Sequence, residues 1–287
     1  MRSPLAYTPR RGPLQAASPG AAVTYLGALA AIAFVFSSPV VLAAAGAAAT
    51  LAGCLAGVRR AVAAALRMGV ALALPIVVIN ALVVSRGDTV LARLGDWPLL
   101  GRVDVTAEAI AEGAVLGLRA AVVMVAFAVY SACVDPDRVL RSLRPLAGRS
   151  ALTATLVSRL VPVTAADAAR LRDAARLRGP GAAPTGRAAL ARRLLAGSLD
   201  RAVDVAATVE LRGYGLAGPR ARDRPPGSRF DRRFYAVGAG LIALTILFAA
   251  LGAGGFDAYP SVVVAAGPAT LALSLLTLLA GLAPSDV

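Results

Sequence analysis

Apolar residues run through this chain in long blocks, and the breaks between blocks are short and carry arginine, proline or glycine. The first block, Ala21 to Leu55, is interrupted at Ser37-Ser38-Pro39. That interruption is a turn signal, so the block predicts two short spans, about 21–36 and 39–56. Gly57-Val58-Arg59-Arg60 closes the hairpin. A third span is predicted at about 62–84, bent at Pro75, with Asn80 near its far end. Residues 85–106 read as a polar loop: Arg86, Arg93 and Arg102 alternate with Asp88, Asp96 and Asp104, and Trp97 is an aromatic of the type that anchors at a bilayer interface. A fourth span follows at about 107–134, then two more at about 234–251 and 260–282, separated by Gly252-Ala253-Gly254-Gly255. Residues 1–20, rich in Pro, Gly and Arg, predict a disordered leader.

Between the fourth and fifth spans the pattern changes. Residues 134–233 carry 20 of the 30 basic residues and 9 of the 16 acids. Asp135-Pro136 predicts a helix start, with aspartate as N-cap and proline at the first helical position; this short helix is expected to end before Pro145. Ser150 caps a long segment, 151–178. Its first half carries an apolar stripe, Leu152, Leu156, Leu160 and Val163. Its second half is charged, and Pro162 should bend its middle. Gly179-Pro180-Gly181 stops it. A second long helix is predicted at about 188–212, with Leu190, Leu194 or Leu195, Leu199, Val203 and Ala206 or Ala207 on one face, ending at Gly213-Tyr214-Gly215. The expected organisation is thus a leader (1–20), four spans (21–134), a cytoplasmic domain (135–233) and two spans (234–287): an all-α polytopic membrane protein with about six transmembrane helices and two long amphipathic cytoplasmic helices.

Composition agrees with this pattern and narrows the chemistry. Hydrophobic residues make up 58% of the 287, and the mean hydropathy is +0.71. The net charge of +14 comes entirely from arginine, since the chain has neither lysine nor histidine. A phosphate-binding loop with its lysine, a Ser-His-Asp triad, a histidine-bearing zinc site and a lysine Schiff base are all excluded. No catalytic residue, cofactor or metal site is expected. Cys54 and Cys133 both fall in apolar runs, as small core hydrophobes do. In a membrane protein the surplus arginine reads as cytoplasmic flank rather than nucleic-acid binding. The leader and the 57–67 turn hold six arginines and the opposite loops three, so both termini are expected in the cytoplasm.

Three features invite function. Asn80 and Arg119 are polar residues within apolar spans. An arginine at bilayer depth costs about 2.5 kcal/mol or more unless partnered, so Arg119 is expected to find its partner on another helix or to lie shallower. Asn80 is most simply one inter-helix hydrogen bond, worth about 1 kcal/mol. The third feature is a repeated helix ending: Arg176-Leu177-Arg178-Gly179 closes the first long helix, and Glu210-Leu211-Arg212-Gly213-Tyr214 closes the second. Glycine after a helix and arginine in its last turn are ordinary taken singly. Two copies on consecutive amphipathic helices point to a surface that grips a partner, because arginine offers a rigid fork of donors to carboxylates.

At these residues the sequence resembles the transmembrane T component of energy-coupling factor transporters, the group that includes the cobalt-transport permease type. That family carries two Ala-Arg-Gly motifs at the ends of two cytoplasmic coupling helices, matched here by Leu177-Arg178-Gly179 and Leu211-Arg212-Gly213. Leucine stands where the family usually has alanine. Arg159-Leu160-Val161-Pro162, Asn80, Ser85-Arg86-Gly87-Asp88 and Gly117-Leu118-Arg119 extend the likeness over roughly 57–215. The resemblance implies a non-enzymatic importer scaffold in a bacterial plasma membrane, working with two ABC-type ATPase subunits and a membrane-embedded substrate-binding subunit for a vitamin or a transition metal. Two other classes were open from the residues alone. An integral-membrane transferase would need clustered carboxylates for Mg²⁺ and phosphates, and Asp135-Pro136-Asp137 is better read as a helix start. A self-contained secondary transporter would show broken helices repeated in two halves, and no such repeat is visible.

Overall fold

The computed structural model describes residues 7, 9–10, 12–84, 87–97, 101–147, 149–177, 186–211, 213, 227–259, 263–264 and 267–285. Ten helices and two small hairpins are formed among them: α1 (Pro13–Ala16), α2 (Pro19–Val35), α3 (Pro39–Leu55), α4 (Arg59–Val83), β1 (Val90–Trp97), β2 (Gly101–Thr106), α5 (Ala107–Cys133), α6 (Pro136–Ala147), α7 (Arg149–Arg176), α8 (Arg187–Leu211), α9 (Asp231–Ala250), β3 (Phe256–Asp257), β4 (Val263–Val264) and α10 (Pro268–Ala280). The chain divides into two compact units, Met1–Val139 with Gly227–Val287, and Leu140–Pro226.

In the first unit, local chemistry fixes the helix starts. Proline occupies the first helical position of α2, α3 and α10, where its missing N–H costs nothing. Ser18 caps α2 by accepting from Ala21 N at 3.3 Å, and Thr106 caps α5 by accepting from Ala109 N at 3.2 Å. At the α3–α4 turn Gly57 takes φ +76, and the N–H of Val58 returns to Gly53 O at 2.9 Å. A residue with a Cβ would be strained there.

Helix α5 lies against α2, α3 and α4, while α2 packs on α9 and α3 on α10. The most extensive of these contacts, α4 with α5, has a simple pattern. A Cβ built on Gly69 would stand 3.0 Å from Ala121 Cβ, one on Gly117 would stand 2.7 Å from Ala73 Cβ, and one on Gly113 would stand 2.9 Å from Val77 Cα. Steps of four residues run up α4 (69, 73, 77) and down α5 (121, 117, 113), so the two antiparallel helices meet along a ladder of small residues. In a bilayer, where lipid tails are as apolar as leucine, such close backbone approach is what drives helices together. Around α2 the core is larger. Tyr25 is fully buried, its ring centroid 5.5 Å from that of Phe234 and its hydroxyl donating to Ala280 O at 2.8 Å.

Helices α4, α5 and α9 are long and apolar enough to cross a membrane; α2, α3 and α10 are apolar and shorter. The 17 residues of α2 and of α3 make about 26 Å of helix against a hydrocarbon core of about 30 Å. The architecture is that of an all-α membrane protein.

Four expectations need correction. The leader is ordered over part of its length: α1 is a helical turn, and Leu14 is completely buried in the core, because one leucine among prolines is enough to dock. The 90–106 stretch is an antiparallel hairpin, with Arg93 opposite Asp104 and Asp96 opposite Arg102 in register; the alternation Val103-Asp104-Val105-Thr106 favours strand. Helix α6 runs through Pro145 to Ala147. The last span begins at Pro268, since Val263–Val264 pairs with Phe256–Asp257 and Gly267-Pro268 sets the start.

Candidate functional site

The second unit contains α7 and α8, which pack against each other. On α8 the half-buried residues include Leu190, Leu194, Ser198, Arg201, Val205 and Val209, a single face at helical spacing. On α7 they include Leu160, Thr164, Asp167, Leu171 and Ala175. Two polar residues meet between these faces: Arg201 Nη2 lies 2.8 Å from Asp167 Oδ2. Asp167 also receives Arg170 of its own helix at 3.3 Å. The aspartate thereby serves as the joint between α7 and α8.

The residues expected on one face of α8 divide between two: Leu190 and Leu194 are half-buried, and the others of that stripe are not. Leu195, Leu199 and Val203 are 62%, 67% and 69% exposed. They form an apolar stripe pointing away from the packed face. Both helix tips continue this exposure: Leu177 is 87% exposed and Leu211 is 88% exposed. Arg176, one residue before the α7 tip, pairs loosely with Asp173 at 3.9 Å and is exposed. Glu210 is exposed, and its carbonyl accepts from the N–H of Gly213, which takes φ +75. That left-handed glycine ends α8 in the ordinary way. Pro162 lies exposed inside α7. Arg178, Gly179, Arg212 and Tyr214 lie outside the described residues.

The intramembrane polar residues belong to the first unit and face different neighbours. Asn80 of α4 donates from Nδ2 to Ala109 O of α5 at 2.7 Å, one rung beyond the small-residue ladder. Arg119 of α5 directs Nη2 to Ser37 Oγ at 3.2 Å and to Phe36 O at 3.4 Å, in the turn between α2 and α3. The same turn is held from its other side by Ser38 N donating to Gly254 O at 3.1 Å. Arg119 therefore fastens α5 to a hairpin tip. The two polar residues are not brought together into one site. Among the described residues no group of three or more His, Cys, Asp or Glu side chains is placed to hold a metal ion.

The ladder itself went unread in the sequence, although Gly113-x-x-x-Gly117-x-x-x-Ala121 spells it. The Asp167–Arg201 joint had no sequence signal, because the two residues are 34 positions apart on different helices.

Among curated proteins no relative matches the chain. A match to a defined family, however, runs from residue 11 to residue 222 and so takes in α4 and α5, two of the three long apolar helices, and the α7–α8 pair. The chain belongs to the family described as cobalt transport protein, CbiQ.

Proposed function

We propose that this chain is the coupling subunit of an energy-coupling factor importer. In this reading it carries ATP-driven motion from two separate ABC-type ATPase subunits to a membrane-embedded substrate-binding subunit. The cargo is cobalt, another transition metal or a vitamin. The observation that carries the reading is the exposure of Leu177 and Leu211, each immediately before an Arg-Gly pair at the end of its helix.

The chemistry of docking follows from those tips. Arg178 and Arg212 offer planar guanidinium forks to carboxylates on the ATPases, with Arg176, Glu210 and Tyr214 as flanking polar contacts. Gly179 and Gly213 leave room for a partner backbone. The leucines, where the family usually has alanine, add apolar contact beside each arginine. The outward stripe Leu195, Leu199 and Val203 widens the apolar patch available to a partner. The Asp167–Arg201 pair lets α7 and α8 respond to the motor together.

ATP hydrolysis takes place on the partner chains, since a phosphate-binding loop of the lysine type cannot be built here. The membrane helices hold the scaffold in a bacterial plasma membrane with both termini and the coupling helices in the cytoplasm, as the arginine distribution favours.

The test is co-purification. The Arg178→Glu/Arg212→Glu double variant should insert in the membrane at wild-type levels and lose its ATPases on detergent extraction. Retention of the ATPases at wild-type levels by that variant would make the docking role wrong.

A further inference from the structure

At the end of the first unit where α2 and α9 begin and α5 finishes, a cavity of about 490 Å³ opens among Tyr7, Arg10, Gln15, Asp135, Arg138 and Arg229. Its size falls in the range of small-ligand sites, roughly 300–1,000 Å³. Three arginines converge on it and one carboxylate does. That carboxylate is engaged, since Asp135 Oδ1 accepts from Asp137 N at 3.0 Å at the start of α6. The arginines are each steadied by a neutral group. Arg10 donates to Gly57 O, Arg138 donates to Gln15 O at 3.1 Å, and the Arg229 guanidinium lies 4.7 Å from the centre of the Phe230 ring. Neither Arg10, Arg138 nor Arg229 takes part in the ion pairs found among the described residues. Three guanidinium groups are thus pre-oriented around a single carboxylate, an excess of positive charge.

The second observation is Gln15. It lines the cavity, is 6% exposed, and has neither Oε1 nor Nε2 in a hydrogen bond with a nitrogen or oxygen. The Cys133 thiol beside it is a weak partner only. A buried amide left unsatisfied is costly, and a ligand in the cavity would supply the missing partner. Gln15 sits on the four-residue helix α1, tucked in by its buried neighbour Leu14.

We propose that this cavity binds a phosphate-bearing anion: the arginines take its oxygens and the Gln15 amide orients it. Arginine pairs with phosphate through two parallel donors. The cavity lies where apolar helices α2, α5 and α9 reach their arginine-rich ends, the level at which a lipid presents its headgroup. A phosphate diester on an anionic lipid and a free phosphate have the same recognising chemistry. The site is independent of the coupling tips, and a failure at either leaves the other standing.

The experiment uses the full chain purified in neutral detergent. One arm adds phosphatidylglycerol, with phosphatidylcholine as the neutral control, and counts retained lipid by native mass spectrometry. The other titrates inorganic phosphate and follows the thermal unfolding temperature at constant ionic strength. At least one arm should respond saturably, and which one responds identifies the source. Arg138→Gln and Arg229→Gln should each weaken binding about tenfold, as expected for loss of a charge-assisted pair. Gln15→Leu is the discriminating variant: it removes an unsatisfied amide, so the ligand-free protein should unfold at an equal or higher temperature while binding falls. Silence in both arms overturns the proposal, and so does wild-type binding by all three variants.

Discussion

Arg201 of α8 reaches Asp167 of α7 with Nη2 2.8 Å from Oδ2, and Asp167 is simultaneously held by Arg170 at 3.3 Å. One carboxylate therefore serves a cation on its own helix and a cation on the next. The arginine on the neighbouring helix is the less exposed of the two, so it contributes more than a solvated surface pair would. We expect Asp167→Asn and Arg201→Gln each to weaken the α7–α8 contact by about 1 kcal/mol, the upper end for partly exposed pairs. The Asp167→Arg/Arg201→Asp exchange should recover part of the loss. A double-mutant cycle on chemical unfolding of the detergent-solubilised chain measures this; additive single effects would mean the two side chains do not interact.

The outward stripe on α8 gives a second prediction, resting on the coupling reading. Leu199→Asp and Val203→Asp replace side chains that are 67% and 69% exposed. Exposed substitutions away from structural features shift stability by about 0.5 kcal/mol or less. If the stripe is covered by an ATPase, the same changes should reduce ATPase retention by tenfold or more, because an apolar contact at the centre of an interface is worth about 2 kcal/mol or more. Unfolding temperature and co-purification, measured on one preparation, separate the two effects. A variant that keeps both would remove the stripe from the docking surface.

Much of the fold was legible because its punctuation is local. Ser38-Pro39 and Asp135-Pro136 mark helix starts through chemistry confined to a few residues, and α3 and α6 begin there; Ser18, which caps α2, lies instead in the stretch expected to be a disordered leader. The face of α8 was not legible for a physical reason. Its apolar residues lie on both sides: Leu190 and Leu199 are roughly 180° apart at 100° per residue, so one stripe drawn through both mixes two faces. The packed face includes Arg201, which meets Asp167, and a charged residue on an inner face cannot be recognised from α8 alone. The 90–106 hairpin was obscured by its charges, which the strand register sets opposite one another. At the ends of α7 and α8, sequence supplies the repeated motif and the structure supplies the outward leucines; the arginines themselves are read from sequence.

Arg119 gives a third prediction. Its Nη2 donates to Ser37 Oγ and Phe36 O, tying α5 to the turn that α2 and α3 share. Arg119→Leu removes the donors and leaves that carbonyl and hydroxyl unsatisfied among apolar helices, so stability should fall by about 1–2 kcal/mol. Arg119→Gln retains a shorter donor and should lose less. The opposing term is the cost of holding a guanidinium at depth, about 2.5 kcal/mol when it has no partner. The sign of the measured change decides between them. A rise in unfolding temperature for Arg119→Leu would show that burial of the charge outweighs its hydrogen bonds.

The small-residue ladder between α4 and α5 makes the sharpest prediction, because it rests on distance alone. A methyl on Gly117 would stand 2.7 Å from Ala73 Cβ and 3.0 Å from Ala73 Cα, closer than real carbon atoms approach. The helices must separate to admit it, and separation along a ladder of fixed steps also loosens the Gly69–Ala121 and Gly113–Val77 rungs. Gly117→Ala should therefore cost about 1–3 kcal/mol, the usual penalty for overpacking, and Gly117→Val more. At the far end of the ladder, Asn80→Ala should cost only about 1 kcal/mol, since it deletes a single hydrogen bond to Ala109 O without adding volume. The compensating change is Ala73→Gly, which removes the nearer of the two obstructing carbons. Ala73→Gly/Gly117→Ala moves the methyl from one helix to the other and should regain a measurable part of the stability lost in Gly117→Ala. Equal unfolding midpoints for Gly117→Ala and the double variant would mean that the helices do not meet at this rung.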